Sequence, residues 1–186
     1  LEIPYKNIVL REFDLDAALK RRAQLLLVDE LAHTNAAGCR HTKRYQDIQE
    51  LLKEGISVYT TVNVQHLESL NDIVASITGI TVQERIPDFV FDQADQVELV
   101  DIEPAELLER LREGKVYCPK QAGTAMDHFF TLDNLTALRE IALRRTADQV
   151  NRVTEKNREQ NRESEYYTGE HILVCLSASP SNAKVI

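Results

Sequence analysis

Two acidic residues, Asp29 and Glu30, follow the apolar run LLLV at residues 25–28. A carboxylate at the end of a buried strand is the arrangement in which a Walker B aspartate holds the water shell of a nucleotide-bound Mg²⁺. A glutamate directly after it can orient an attacking water. The alternative is that both acids only cap the turn after the strand, and so short a motif does not decide between the two.

Three further residues are candidates for contact with phosphate. Asn63 follows the segment SVYTTV, a place where a polar side chain can sense a γ-phosphate or position water; capping of a helix that begins near Gln65 explains it equally well. Arg40 and Arg44 belong to the cationic stretch RHTKR at residues 40–44, which is suited to bind phosphate from this chain or a neighbour. A solvated helix start is the alternative for these arginines.

Other kinds of chemistry are not indicated. No G-x-x-x-x-G-K-[ST] phosphate loop occurs in the 186 residues. These residues therefore lack the lysine and the loop of backbone N–H groups that cradle phosphates. The 5 histidines show no metal-ligand spacing, and no serine or cysteine has a nearby His/Asp pattern. We therefore assign no protein metal centre, no covalent catalysis and no catalytic residue.

The elements that would position these residues alternate between strand and helix. We expect helices over LDAALKRR, capped by Asp14, over KRYQDIQELLKEG, over VQHLESLNDIVASITG and after Pro104. Residues 25–28 and SVYTTV are expected to be buried parallel strands, and ITVQERI (80–86) and VELVDI (97–102) further strands. This order predicts the α/β class, with a doubly wound, mostly parallel sheet that has helices on both faces. Ligands of such sheets bind at the carboxyl ends of the strands.

The character of the sequence changes after residue 132. Residues 133–165 contain no Gly or Pro, and their first half carries an apolar stripe typical of one long helix, whereas the second half is almost wholly polar. The final residues, HILVCLSASPSNAKVI, read as a strand, a Ser-rich turn and the opening of a helix. Ser177 and Ser179 in this turn are candidates for a second-domain ligand site, although helix capping is the ordinary role of such serines. We expect an α/β domain at 1–132, a long helix and connector at 133–168 and the start of a second domain at 169–186.

Charge and cysteine content narrow the classes of partner. With 22 basic and 30 acidic residues the net charge is −8, which argues against nucleic-acid binding. The 3 cysteines have no zinc spacing, and their odd number fits a reducing cytoplasm. Apolar runs are far shorter than the about 20 residues of a membrane span, and no signal peptide is expected.

Four segments together carry a more specific signal than any single motif. VDELAHTNAAGCRHTKRYQDIQELL, VYTTVNVQHLESLND, VELVDIEPAELLERLREGKVY and NLTALREIALRR resemble, in order, the N-terminal cytoplasmic region of KdpD-type osmosensitive potassium-channel sensor histidine kinases. The resemblance implies a P-loop NTPase-like domain, followed by a universal-stress-protein-like domain that starts at HILVCLSASPSNAKVI. It places the Walker A loop, of the G-x-G-K-T kind, upstream of the first residue.

The same resemblance implies ligands and partners. It makes Asp29 and Glu30 the Walker B pair of a site for ATP with Mg²⁺, and it matches Ser177 and Ser179 to the S-x-S start of domains similar to cyclic di-AMP receptors. It implies an input region in the cytoplasmic part of a bacterial inner-membrane kinase that controls potassium-transport genes through a response regulator; whether two copies form a homodimer is left open. Two rival functions remain open, a free-standing P-loop NTPase and a scaffold or ligand-sensing module without hydrolysis.

Overall fold

The computed structural model describes residues 1–6, 8–116 and 129–160. It begins with an antiparallel hairpin that the sequence analysis missed: β1 (Glu2–Tyr5) pairs with β2 (Ile8–Arg11), in a register that places Glu2 opposite Arg11. Lys6, in the connection, has a φ of 52°, the left-handed conformation that a tight reversal requires. The hairpin delivers Glu12, the residue directly after β2, into the interior of the molecule.

The acidic pair follows one of two parallel strands. β3 (Leu25–Val28) pairs with β4 (Ser57–Thr60), with Leu25 opposite Ser57 and Val28 opposite Thr60. Both strands were predicted, but the expectation that they are buried is only half right. Val28 is buried, whereas Leu27 is 78% exposed and Tyr59 66% exposed. Alternate residues of a strand point to opposite faces, so one face of this sheet packs on the core and the other is open.

Two predicted strands are wrong, and the doubly wound sheet is not formed by the described residues. Residues 80–86 make a single bridge, from Ile86 to Leu67, and side chains contact two of their carbonyls. Asn71 donates to the carbonyl of Val82, and His66 contacts that of Glu84, at 3.0 and 2.8 Å. Among the described residues no strand lies beside 97–102, and a strand is held by its neighbour's hydrogen bonds. What is confirmed is a mixed α/β fold with a parallel pair.

The predicted helices are largely confirmed. α1 (Leu15–Arg21) starts at Asp14, whose Oδ1 accepts from the Ala17 N–H at 2.9 Å. α2 (Arg44–Lys53) is followed by Gly55 with a φ of 77°. The short helix α4 (Asp88–Asp92) forms after Pro87, and α5 (Pro104–Arg112) has its proline at the first turn.

One predicted helix, over residues 64–79, is wrong in its first half. Two 3-10 turns, Val64–His66 and Glu68–Leu70, precede α3 (Asn71–Thr78). Leu67 lies between them in an extended conformation, because its backbone bridges Ile86. Tertiary pairing therefore interrupts a segment whose apolar spacing is helical.

The hydrophobic core lies between the sheet and the helices. Leu51 of α2, Leu67 and Ile86 are each fully buried, and they belong to one cluster with Leu15 and Val28. A cluster of this kind supplies the main favourable free energy of folding and holds the ends of β3 and β4 in place.

The predicted long helix is α6 (Leu132–Gln160), which buries Leu135 and Leu138. The chain divides into two units, Leu1–Thr146 and Ala147–Ile186, at a point inside this helix. Residues 161–186, and with them the predicted boundary after 168, lie outside the described residues.

Candidate functional site

Asp29 and Glu30 lie where the sequence analysis placed them, at the carboxyl end of β3. The Oδ1 atom of Asp29 accepts the N–H of Glu30 at 2.9 Å. The same atom accepts the hydroxyl of Thr61, which follows β4, and the Glu30 N–H is also 3.3 Å from Thr61 Oγ1. Both acids are exposed, so their carboxylates face solvent at the edge of the sheet.

Thr61 is a site residue that sequence reasoning missed. The register pairs Val28 with Thr60, so the residues that follow, Asp29 and Thr61, emerge side by side. The signal that could have found Thr61 is that SVYTTV is the next predicted strand after residues 25–28, because consecutive strands often pair and then end side by side. Asn63, which the sequence favoured, lies two residues further on, is exposed, and precedes the 3-10 turn without a capping bond from its side chain.

The backbone at Glu30 is unusual for a residue with a side chain. Its φ of 57° lies in the left-handed region, which costs free energy outside glycine and persists only where the surroundings impose it. Two hydrogen bonds impose it here: the Leu31 N–H donates to the carbonyl of Thr61 at 2.9 Å, and the His33 N–H donates to that of Glu30 at 3.0 Å. Conformations of this kind are found preferentially at functional sites.

The two candidate phosphate-binding arginines are engaged within the protein. Arg44 has a side chain only 11% exposed; it donates to the carbonyl of Asp29 at 3.2 Å and to Glu12 at 3.1 Å. Arg40 is paired with Asp16 and Glu50. Arg44 thus supports the backbone of the acidic pair. Contact of either arginine with phosphate stays a prediction.

Glu12 is a second residue that sequence reasoning missed. Its side chain is 6% exposed and accepts hydrogen bonds from His33 Nε2 at 3.1 Å, from the Ala36 N–H at 2.9 Å and from Arg44. Burial by itself raises the pKa of Glu12, but these hydrogen bonds and the charges of His33 and Arg44 outweigh burial, so its pKa lies below the ordinary value. Glu12 is therefore an ionised group that holds the loop after the acidic pair.

Two more carboxylates hold the loop between β3 and α2 from other sides. Asp47 of α2 is buried and accepts from Asn35 Nδ2 at 2.7 Å, and burial raises its pKa. Glu84 accepts the Thr34 N–H at 2.8 Å. With three carboxylates bound to it, the loop is a fixed part of the site's framework rather than a solvated connection.

The donor set at the acidic pair suits a hard cation. Carboxylate and hydroxyl oxygens are the ligands that Mg²⁺ prefers, and Mg²⁺ usually takes one or two protein carboxylates together with substrate phosphates and water. Within the described residues no group of three or more His, Cys, Asp and Glu side chains could hold a metal ion by itself. The pair thus fits a cation that arrives with a phosphate ligand.

Ser177 and Ser179, the second predicted site, lie outside the described residues.

Fold and site together define a mixed α/β protein with an acidic pair at the carboxyl end of a parallel strand pair. Its family is settled by comparison with known proteins: residues 1–150 match the family described as "KdpD: Osmosensitive K+ channel His kinase sensor domain". The chain belongs to this family, as its four quoted segments had indicated.

Relatives with high identity cover almost all of the chain. It is 57% identical over 185 residues to the sensor protein KdpD of Clostridium acetobutylicum and 54% identical over 183 residues to that of Escherichia coli K12, covering 99% and 98% of the chain. A putative sensor protein KdpD of Synechocystis is 45% identical over 190 residues. The chain spans only 21%, 20% and 50% of the lengths of these three relatives.

In the part of the chain that the structure describes, no helix has the length and apolar character to cross a membrane.

Proposed function

We propose that the chain is the cytoplasmic input region of a two-component sensor histidine kinase that controls potassium-transport genes, and that it binds Mg·ATP through Asp29 and Glu30. The observation that carries the nucleotide part is the contact of Asp29 with Thr61 at the carboxyl ends of β3 and β4. Family membership and the names of the sensor relatives support the signalling part.

The nucleotide proposal rests on the placement and chemistry of the acidic pair. Ligands of sheets with parallel strands bind beyond the carboxyl ends of the strands, and here two strands end side by side. Asp29 would hold the water shell of Mg²⁺, and Glu30, beside it, would orient water near the terminal phosphate. The phosphates themselves need a phosphate loop, and we propose, from the family resemblance, that one lies upstream of Leu1.

Three further residues belong to the proposal in auxiliary roles. Asn63 lies on the strand-end side of the 3-10 turn, within two residues of Thr61, and we assign it a contact with the terminal phosphate or its water. Arg40 and Arg44 are assigned contacts with phosphate; because each is held by carboxylates in this structure, an incoming phosphate would have to compete with Glu50 or Glu12 for them.

We infer the partners from membership of the family. The rest of the sensor kinase, held in the bacterial inner membrane, would receive the state of this region, a cognate response regulator would carry it onward, and pairing of two input regions would make a homodimer. A cyclic di-AMP site at Ser177 and Ser179 of the universal-stress-protein-like part completes the proposal. No nucleic-acid partner is proposed, because the net charge is −8.

The proposal is tested by calorimetric titration of Mg·ATP into this chain and into a form extended upstream through the phosphate loop. We expect binding by the extended form, and a roughly 10- to 100-fold weaker Mg²⁺-dependent affinity in Asp29→Asn. Asp95→Asn, at an exposed aspartate in the loop after α4, is the matched control. If neither form binds, or if Asp29→Asn and Asp95→Asn behave alike, the site is not a nucleotide site and the region is a scaffold.

A second measurement addresses signalling. The Asp29→Asn change in the full-length kinase should alter transcription of its target genes on potassium limitation, while Asp95→Asn should not. Unchanged transcription in a variant that no longer binds Mg·ATP would separate nucleotide binding from the signal and leave docking to the kinase core as the function of the fold.

A further inference from the structure

We propose that His33 and Glu12 are positioning residues for Glu30: the buried Glu12 fixes the imidazole ring of His33, and the ring sets the orientation of the Glu30 side chain. This inference rests on the proposed function, because the orientation of Glu30 affects affinity only where the site binds a Mg·nucleotide. Its structural part concerns contacts among these three residues and can be tested without any ligand.

His33 lies between two carboxylates that differ in their surroundings. Its Nε2 atom is 3.2 and 3.1 Å from the two carboxylate oxygens of Glu12, whose side chain is 6% exposed. Its Nδ1 atom is 3.6 Å from Oε2 of Glu30, whose side chain is 71% exposed. One nitrogen of the ring therefore faces the interior, and the other faces the acidic pair.

The partners of Glu12 require a proton on Nε2 of His33, and a second proton on Nδ1 gives the imidazolium that attracts the Glu30 carboxylate at 3.6 Å. Glu12 accepts from the Ala36 N–H and from Arg44, both of which can only donate, and its carboxylate is ionised. An ionised carboxylate accepts, so His33 Nε2 must donate to it. The ring is then held at one end by a buried acceptor. In metal sites, carboxylates that do not touch the metal hold the ligand histidines in a fixed orientation in the same way.

A backbone hydrogen bond also joins His33 to Glu30. The His33 N–H donates to the Glu30 carbonyl at 3.0 Å, which closes a turn whose first residue has the left-handed φ of 57°. Glu30 is thus tied to His33 by a backbone hydrogen bond and faces it through its side chain. An exposed glutamate otherwise samples several rotamers, so a fixed neighbour 3.6 Å away reduces the number of orientations available to it.

The variants His33→Gln, Glu12→Gln and Glu30→Gln separate positioning from general stability. Gln can place its amide nitrogen near the position of Nε2 and so keep the bond to Glu12, while it removes the ring nitrogen that faces Glu30. His41 offers a matched control, because its Nε2 also meets a carboxylate, that of Glu50, at 2.7 Å. All affinities are to be measured where each variant is folded, as checked by circular dichroism.

The first arm measures Mg·ATP affinity in the upstream-extended form. If His33 acts through Glu30, His33→Gln weakens binding roughly 10-fold when Glu30 is present and by less than about 2-fold in the Glu30→Gln background. Glu12→Gln should weaken binding to a similar extent and add little to His33→Gln, whereas His41→Gln should have no effect. Equal losses with and without Glu30 would overturn the proposal and leave His33 as a structural residue.

The second arm measures the ¹⁵N resonances of the His33 ring in this chain without ligand, at a fixed pH. We expect Glu12→Gln to shift the Nε2 resonance and Glu30→Gln to shift Nδ1, with the His41 ring unchanged in both. A His33 ring that does not respond to Glu30→Gln overturns the proposal even if Mg·ATP binds. A ring that responds in a protein that does not bind Mg·ATP supports the positioning contact and shows that the proposed function alone has failed. If Glu12→Gln does not fold, the Glu30→Gln shift decides.

Discussion

The hydroxyl of Thr61 donates a hydrogen bond to Oδ1 of Asp29, and this bond joins the carboxyl ends of two parallel strands. The two residues are 32 positions apart in the chain. Because Asp29 also accepts the Glu30 N–H, its carboxylate is oriented from two sides before any ligand is bound. Orientation of this kind lowers the entropic cost of binding a cation and its waters.

Removal of the Thr61 hydroxyl should therefore weaken Mg·ATP binding. Thr61→Val keeps the shape of the side chain and loses the donor to Asp29, so we expect the dissociation constant to rise roughly 10-fold, as calorimetry would show. Thr60→Val, one residue earlier on the opposite face of β4, is the control. Equal affinities for both variants would mean that Asp29 does not depend on Thr61.

Arg145 should contribute strongly to stability, because it anchors α6 to α4. Its side chain is 9% exposed, pairs with Asp92, lies 3.7 Å from Asp88, and stands 4.5 Å above the ring of Phe91. Arg145→Met leaves these carboxylates without their cation, and we expect a loss of about 2–3 kcal/mol in the free energy of unfolding, measured with urea.

The neighbour of Arg145 supplies the control for that experiment. Arg144 is on the same helix but is 76% exposed, and it pairs with Glu140 one turn away. Arg144→Met should cost less than about 0.5 kcal/mol. A similar loss for both variants would show that burial of the Arg145 cluster is not what stabilises the helix.

Burial in α2 gives a prediction about two adjacent leucines. Leu51 is fully buried and Leu52 is 51% exposed. Leu51→Ala should lower the free energy of unfolding by about 3 kcal/mol because it leaves a cavity, and Leu52→Ala by less than about 1 kcal/mol. Comparable losses, seen in urea titrations, would mean that α2 packs on the sheet with a different face.

The lowered pKa of Glu12 predicts how the free energy of unfolding changes in acid. Burial raises its pKa, but the Ala36 hydrogen bond and the neighbouring His33 and Arg44 hold it below the ordinary 4.5. The folded state therefore favours the ionised form, so Glu12 stabilises the fold above pH 4.5, and this contribution is lost as the pH falls through the lowered pKa. Urea midpoints measured from pH 7 down to about pH 3 should fall more steeply for the wild type than for Glu12→Gln.

The control for the acid experiment is Glu2→Gln, at a side chain that is 71% exposed beside Arg11. Its pH profile should run parallel to that of the wild type. At neutral pH Glu12→Gln itself should cost about 1.5–3 kcal/mol, because it removes a buried charged acceptor of three donors. Parallel profiles for the wild type and Glu12→Gln would show that Glu12 does not carry the acid dependence.

Local patterns were sufficient for most of the helices and for the position of the acidic pair. The cap at Asp14, the glycine after α2 and the proline that opens α5 are signals read within a few residues, and each is confirmed. The apolar run at 25–28 likewise predicts a strand that ends at Asp29. Family membership was also readable, since four segments of the sequence carry it.

The tertiary structure alone decided the rest. Whether residues 80–86 and 97–102 become strands depends on a partner beside them, and propensity does not reveal a partner. The same holds for the contact of Thr61 with Asp29 and for the burial of Glu12 against His33: each joins residues more than 20 positions apart. The sequence by itself determined where α1, α2 and α5 form and that residues 25–28 make a strand, because these features follow from neighbouring residues. Packing determined which distant side chains meet, because that depends on the whole fold.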